Sequence, residues 1–234
     1  MIFVKDSLNK VNKTQVNESG LQEDLELSKF LNQFQDVFID DIPRELLPKR
    51  GDDDHAIELI LGSSPPNKPL YRVLQSQQEE IMRQANELVE KGMVRPSSSR
   101  FFSPVHLVHK KDDTYRMCVD HRAINKITIK NRFPVSCIED LFDKLQGSTY
   151  FSRIDLKSGY HQIRIVNEDI LKTCFRITFG LYEYLAMPFG LTNAPTTFNH
   201  MMERIFRPHR NFIGVFFDDV IIYSKFIEEH KKHL

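Results

Sequence analysis

The stretch Phe216-Phe217-Asp218-Asp219-Val220-Ile221-Ile222-Tyr223 sets two adjacent carboxylates inside an apolar run, with Ile213 and Val215 just upstream. β-Branched and aromatic residues on both sides of a two-residue polar break predict two buried strands joined by a tight turn. An Asp-Asp pair does nothing to hold such a hairpin together. The two anions repel, and burying either without a partner is costly or forces it to bind a proton. A divalent cation would remove that conflict; a solvent-exposed acidic turn would avoid it without one.

A second segment bears on the choice. Tyr150 to Leu156 (Y-F-S-R-I-D-L) reads as a short strand with Asp155 near its end. Lys157-Ser158-Gly159 then turns the chain, and Tyr160 to Ile165 reads as a resumed strand with Ile163 and Ile165 at alternate positions. A third carboxylate ending another apolar strand is what a two-metal phosphoryl-transfer site requires. Hard cations such as Mg²⁺ take oxygen ligands, and a few carboxylates suffice where substrate phosphates and waters fill the other positions. A lone Asp at a strand end is more often a turn-former, so it is the two segments together that favour the metal site.

Composition bounds the rest. At 234 residues and 27.5 kDa the chain can bury one substantial core or two small ones. No apolar run approaches the ~18 residues needed to cross a bilayer, and Lys5, Asp6, Lys10 and Lys13 leave no secretory signal. Cys118, Cys137 and Cys174 lie far apart, as small apolar residues of a reducing compartment do, and suggest neither a disulfide nor a zinc framework. His230 and His233 share i, i+3 spacing, but no further ligand accompanies them. Net charge is zero, yet residues 1–100 carry 13 basic against 17 acidic side chains and residues 101–234 carry 19 against 15. The C-terminal surplus is matched by Lys110 to Arg132 alone, with 7 basic and 3 acidic residues. Beside catalytic strands such a segment becomes a phosphate-binding surface; elsewhere it is a solvated face.

Residues 1–20 are polar and unpatterned, and Leu27, Phe30, Leu31 and Phe34 predict one amphipathic helix over about 23–37. Prolines at 43, 48, 65, 66 and 69 predict an extended leader with one strand at Ala56–Leu61. Ser76-Gln77-Gln78-Glu79 is a capping-box pattern ahead of Ile81, Ala85 and Leu88 on one helical face, with Gly92 as the stop. Ser136 to Glu139 repeats the device before a helix ended by Gly147. Val105–Val108 and Thr114–Val119 predict a hairpin with a charged tip, Thr173–Tyr184 a second hairpin turning near Gly180, and Pro195 opens a last full helix burying Phe198, Met202 and Ile205. Antiparallel strands with separately placed helices make an α+β protein.

Four longer motifs stand in order: Y-R-M-C-V-D-H-R-A-I-N-K (Tyr115 to Lys126), F-S-R-I-D-L-K-S-G-Y-H-Q-I-R (Phe151 to Arg164), M-P-F-G-L-T-N-A-P-T-T-F (Met187 to Phe198) and F-F-D-D-V-I-I-Y-S (Phe216 to Ser224). Together they resemble the polymerase domain of a gypsy-type LTR-retrotransposon reverse transcriptase. A weaker likeness runs upstream through Asp54–Ile57 and Glu90–Ser99. The resemblance implies a right-hand polymerase palm, an antiparallel sheet with helices on one face, plus fingers. It sets a leader at 1–70, fingers at 71–130 and 163–193, and palm at 131–162 and 194–234. It also implies that the primer grip, thumb, connection, ribonuclease H and integrase lie outside this chain, and a cytoplasmic, virus-like-particle setting with no membrane partner.

The activity implied is RNA-directed DNA synthesis: a primer 3′-hydroxyl attacks the α-phosphate of a dNTP on an RNA or DNA template. By their places in the motifs, Asp155, Asp218 and Asp219 would bind two Mg²⁺ ions, with Mn²⁺ as the alternative. Lys110, Lys111 and Arg116 would grip the triphosphate, and Ser158 and Gly159 would face it with backbone N–H groups. Tyr160 would sit under the sugar and reject a ribose 2′-hydroxyl, with Phe189 beside it in the nucleotide pocket. Asp120, Arg122, Asn125 and Gly190 would contact or support the template. Departures from the family pattern are His121 (more often Tyr), Asp113 (usually Gly), Tyr115 (usually Trp) and Phe216 (often Tyr). A catalytically inactive remnant and a repurposed nucleic-acid-binding module are the competing readings.

Overall fold

A computed structural model describes residues 48–131, 138–156, 158–216 and 219–234. The helix expected over 23–37 lies outside them. In chain order the elements are α1 (Gln75–Glu90), β1 (Val94–Pro96), β2 (Ser103–His109), β3 (Tyr115–Val119), α2 (Arg122–Ile127), α3 (Ile138–Leu145), β4 (Tyr150–Asp155), β5 (Phe175–Ile177), β6 (Gly180–Tyr184), α4 (Ala194–Phe206), β7 (Ile213–Phe216), β8 (Asp219–Ser224) and α5 (Ile227–His233). Two compact units share them: one within 136–159 and 206–234, the other within 48–135 and 160–205.

The larger unit is built on a five-stranded sheet in the order β1-β6-β5-β2-β3, antiparallel except where β2 meets β5 in parallel at Ser103↔Phe175. Apolar residues one helical turn apart on α1 bury Ile81 and Ala85. Its Gln84 amide also satisfies the outer edge of β3, donating to the Tyr115 carbonyl at 2.9 Å and accepting from the Met117 N–H at 2.9 Å. A helix side chain thus stands in for a missing strand and blocks edge pairing. The helix begins at Gln75, earlier than the Ser76 pattern suggests, because Gln77 turns back to accept the Leu74 N–H at 3.0 Å. α4 starts beside Pro195 as expected and buries Phe198, Met201 and Met202, whereas Ile205 is only half-buried.

Two expected strands are absent among the described residues. Residues 56–61 form only one isolated bridge, Leu59↔Thr128, with a second, His55↔Ile165, just before them. Side chains add to the few backbone bonds that hold this leader: Asp169 accepts the Ile57 N–H at 2.6 Å, Lys172 donates to the Ile57 carbonyl at 2.7 Å, and His55 meets the Thr197 hydroxyl at 2.8 Å. Tyr160–Ile165 is likewise not a strand. A 3₁₀ turn occupies Gly159–Gln162, after which Ile163 and Ile165 enter the core at 0% and 1% exposure. Alternation there reflects burial on both sides of an irregular segment.

The smaller unit is a three-stranded antiparallel sheet, β4-β8-β7. Ile213, Val220 and Ile222 form its core with Ile154, Phe206, Phe212, Val215 and Leu234 packed against them. α5 docks on this face through His230, whose ring nitrogens lie 2.8 Å from the Ser152 and Ser224 hydroxyls. At the β7 edge, a Cβ on Gly214 would crowd Leu141 Cδ1, so a larger residue there would require that side chain of α3 to shift. Cys118 and Cys174 are free thiols, the latter buried.

Candidate active site

Asp219, the second of the paired acids, lies where two strands of the smaller unit end together. β7 and β8 pair antiparallel as far as Phe216↔Asp219, the strand pairing that the predicted hairpin requires. On its other side β8 pairs with β4 in a register running from Tyr150↔Ser224 to Asp155↔Asp219. Asp155 is therefore directly opposite Asp219. Opposed residues on antiparallel strands have Cβ atoms roughly 4.5–5.5 Å apart on one face. Asp218 lies outside the described residues. Among those residues, no cluster of three or more His, Cys, Asp or Glu is set to hold a metal.

Two carboxylates facing each other across a sheet repel unless positive charge stands between or beside them. Here Arg153, two residues before Asp155, supplies it: Nε and Nη2 reach Asp219 Oδ1 at 2.9 and 2.7 Å. All-oxygen donors and a cation drawn to them suit a hard divalent ion. The motif reading passed over Arg153; its i, i+2 spacing from Asp155 was the available signal. Ser158 follows with φ +46°, a left-handed backbone, ahead of Gly159.

In the larger unit, Lys110, half-buried, and Lys111, exposed, stand at the tip of the β2–β3 hairpin, which the Lys110 N–H closes by donating to the Thr114 carbonyl at 2.8 Å. Asp113 adopts φ +59°, the left-handed conformation that glycine takes most readily, so the family's usual Gly has a conformational reason. Asp112 is engaged in the turn: it accepts the Thr114 hydroxyl and N–H at 2.6 and 3.1 Å, and these bonds lower its pKa. Arg116 projects exposed from β3 opposite Val108.

Tyr160 is 8% exposed; its ring stacks on Phe189 with centroids 4.8 Å apart and lies 5.2 Å from Phe198. Phe189 is 52% exposed, so the stack has one open face. Asp120 and Arg122 form a two-pronged pair at 2.8 and 2.7 Å, and the Tyr71 hydroxyl donates to Asp120 at 2.6 Å. The Arg122 guanidinium, then this hydroxyl, holds the Asp120 carboxyl well below its usual range. Tyr71 was not anticipated, since it sits in a leader without periodic pattern. Asn125 donates to the Gly190 carbonyl at 2.8 Å and accepts the Thr192 N–H at 3.0 Å, clamping the 190–192 loop. Gly190 itself has φ +93°. His121 is buried beneath this loop and burial pushes its pKa down to about 4.

The fold is that of a reverse transcriptase's palm and fingers. It matches the foamy viral protease–reverse transcriptase in complex with an RNA/DNA hybrid at TM-score 0.77 and 22% identity, over 94% of this chain and 29% of that one. A second form of that enzyme, in complex with double-stranded DNA, matches at TM-score 0.77 over 95% and 38%. The family model for reverse transcriptase (RNA-dependent DNA polymerase) matches residues 108–234, and the chain belongs to that family. Relatives include the retrovirus-related Pol polyprotein from transposon 297 of Drosophila melanogaster, 36% identical over 97% of this chain and 22% of its own length. The Pol polyprotein from transposon opus of the same species is 40% identical over 66% and 16%. The transposon Tf2-3 polyprotein of Schizosaccharomyces pombe is 33% identical over 98% and 17%. The chain thus spans about a fifth of the curated relatives it matches. Among the described residues no helix is long and apolar enough to cross a membrane.

Proposed function

We propose that this chain carries out RNA-directed DNA synthesis, with Asp155, Asp218 and Asp219 as the ligands of divalent cations, Mg²⁺ first. The carrying observation is the Asp155↔Asp219 register, which brings two acids from separate motifs to one end of one sheet. Bound cations would favour the attacking 3′-hydroxyl as its alkoxide and offset charge on the departing pyrophosphate. The chain's own residues bind and orient. Lys110, Lys111 and Arg116 are three exposed or half-exposed cations on one hairpin and would grip a triphosphate, the Arg donating as a planar fork and the lysines as mobile point charges. Ser158 and Gly159 offer backbone N–H groups in a turn.

Tyr160 and Phe189 would line the sugar and base side of the nucleotide, the tyrosine excluding a 2′-hydroxyl. Asp120, Arg122, Asn125 and Gly190 would support the template strand. The fingers then comprise 71–130 and 163–193, and the palm 131–162 and 194–234. A nucleic-acid partner is supported by the RNA/DNA hybrid and double-stranded DNA held by the structural neighbours. No observation favours the inactive-remnant or binding-module readings.

The test is primer extension on an RNA template by the protein carrying this chain, with dNTPs and Mg²⁺. Extension that is abolished by chelation and restored by Mg²⁺ supports the reading. Template binding without extension, under conditions where the fold is intact, would favour a binding module.

A further inference from the structure

β4 brings a permanent cation to the acids it helps to assemble. Arg153 and Asp155 are two apart on the strand and so share a face. Arg153 is paired with Ile221, which places Asp219 diagonally across the sheet within reach of a long side chain. Both donors of the contact converge on one carboxylate oxygen, Oδ1, at 2.9 and 2.7 Å. The Arg153 side chain is 66% exposed and that of Asp219 36%. An ion pair so open to water is weak and readily exchanged. Arginine does not lose its charge, so the contact cannot be released by deprotonation. A hard cation and a guanidinium seek the same oxygen lone pairs.

The geometry points to Arg153 as a positioning residue of the metal site, one that holds the Asp219 carboxylate while no cation does and competes with a divalent ion for Oδ1. It thereby sets the affinity of the Asp219 side of the site for metal in the absence of nucleotide. This rests on the assignment of Asp155, Asp218 and Asp219 as ligands. The cluster of Ile154, Val220 and Ile222 lies under the other face of the sheet and does not account for the contact.

The experiment is Mn²⁺ binding, followed by loss of the free-ion electron paramagnetic resonance signal, in the protein carrying this chain without nucleotide. The variants are Arg153→Met, Arg153→Lys, Asp155→Asn, Asp219→Asn and the double Arg153→Met/Asp219→Asn, each checked for an unchanged circular dichroism melt. Removing a like charge from a divalent site predicts Mn²⁺ binding about three- to tenfold tighter in Arg153→Met. Arg153→Lys, which keeps the charge, should stay within about twofold of the parent. In the Asp219→Asn background the Arg153→Met effect should shrink markedly, since its partner is gone. The Mg²⁺ concentration for half-maximal extension should fall in parallel in Arg153→Met. Unchanged or weaker Mn²⁺ binding in Arg153→Met, while Asp219→Asn still weakens it, would overturn the role of Arg153 alone. Binding unaffected by Asp155→Asn and Asp219→Asn would instead overturn the metal-site assignment, and this inference with it.

Discussion

Asp155 closes β4 directly opposite Asp219, the first residue of β8, although 64 positions separate them in sequence (219 − 155). The pairing is set by side chains that never approach the site. Val220 and Ile222 must face the core at 1% and 3% exposure, and the period of two then turns Asp219 to the opposite face. Ile154 packs into the same core and sends Asp155 the same way. A slip of one residue would bury an acid and expose an isoleucine, so the register is strongly specified. Val220→Asp should therefore cost about 3 kcal/mol or more by putting an unpaired charge in the core. Chemical denaturation measures this; a loss below about 1 kcal/mol would show that the register is held by something else.

Sugar choice tests the aromatic stack. Tyr160 lies against Phe189 and Phe198, and replacing it with Val should relieve a clash with a 2′-hydroxyl and raise ribonucleotide incorporation relative to the parent. Tyr160→Phe keeps the ring and should keep the discrimination. Equal discrimination in the parent and Tyr160→Val would leave Tyr160 as a core residue only.

Asn125 should matter for stability as well as for template binding. Its amide serves both the Gly190 carbonyl and the Thr192 N–H, so Asn125→Ala leaves two backbone groups to water or to nothing. A loss of about 1 kcal/mol is expected from hydrogen bonds of this kind. A variant with weakened template binding and an unchanged urea midpoint would contradict the clamp.

Acid should destabilise the larger unit through its histidines. Burial holds His55, His121 and His161 each at about 4, below the ordinary 6.5. Between pH 6.5 and about 4 the unfolded chain binds protons that the native chain refuses, so stability is fully present above 6.5 and falls as pH drops through that window. The slope is about 1.4 kcal/mol per pH unit for each proton taken up. Urea midpoints at pH 7 and pH 5 should differ accordingly, and His121→Phe should flatten the dependence. Equal midpoints in the parent would show these rings already charged or exposed.

Much of this was legible in the sequence because the pattern and the burial coincide. The strands flanking the acidic pair, the strand ending in Asp155 and those of the Lys110–Asp113 hairpin show as short β-branched or aromatic runs broken by polar residues, and the helix at Pro195 as apolar residues at helical spacing. The leader and the Tyr160–Ile165 segment were misread as strands. In the leader the backbone is irregular and tied down by side-chain bonds from Asp169, Lys172 and Thr197, and around Ile163 and Ile165 by single backbone bonds to Leu185 and Met187, neither of which leaves a periodic trace. Tyr71 and Arg153 escaped for a related reason. Each acts on a partner distant in sequence, Asp120 and Asp219, and the fold brings the two together.

If Asp155 and Asp219 act together on one metal-dependent reaction, single-turnover incorporation of one dNTP shows it most directly. The assay uses the protein carrying this chain, a preformed RNA template–primer and saturating Mg²⁺, comparing the parent with Asp155→Asn and Asp219→Asn. Loss of preorganised charge stabilisation of this kind typically costs about 10²–10³-fold in rate, and each variant should fall at least that far with primer–template affinity retained. Rates within a few-fold of the parent in either variant, with melting unchanged, would contradict it.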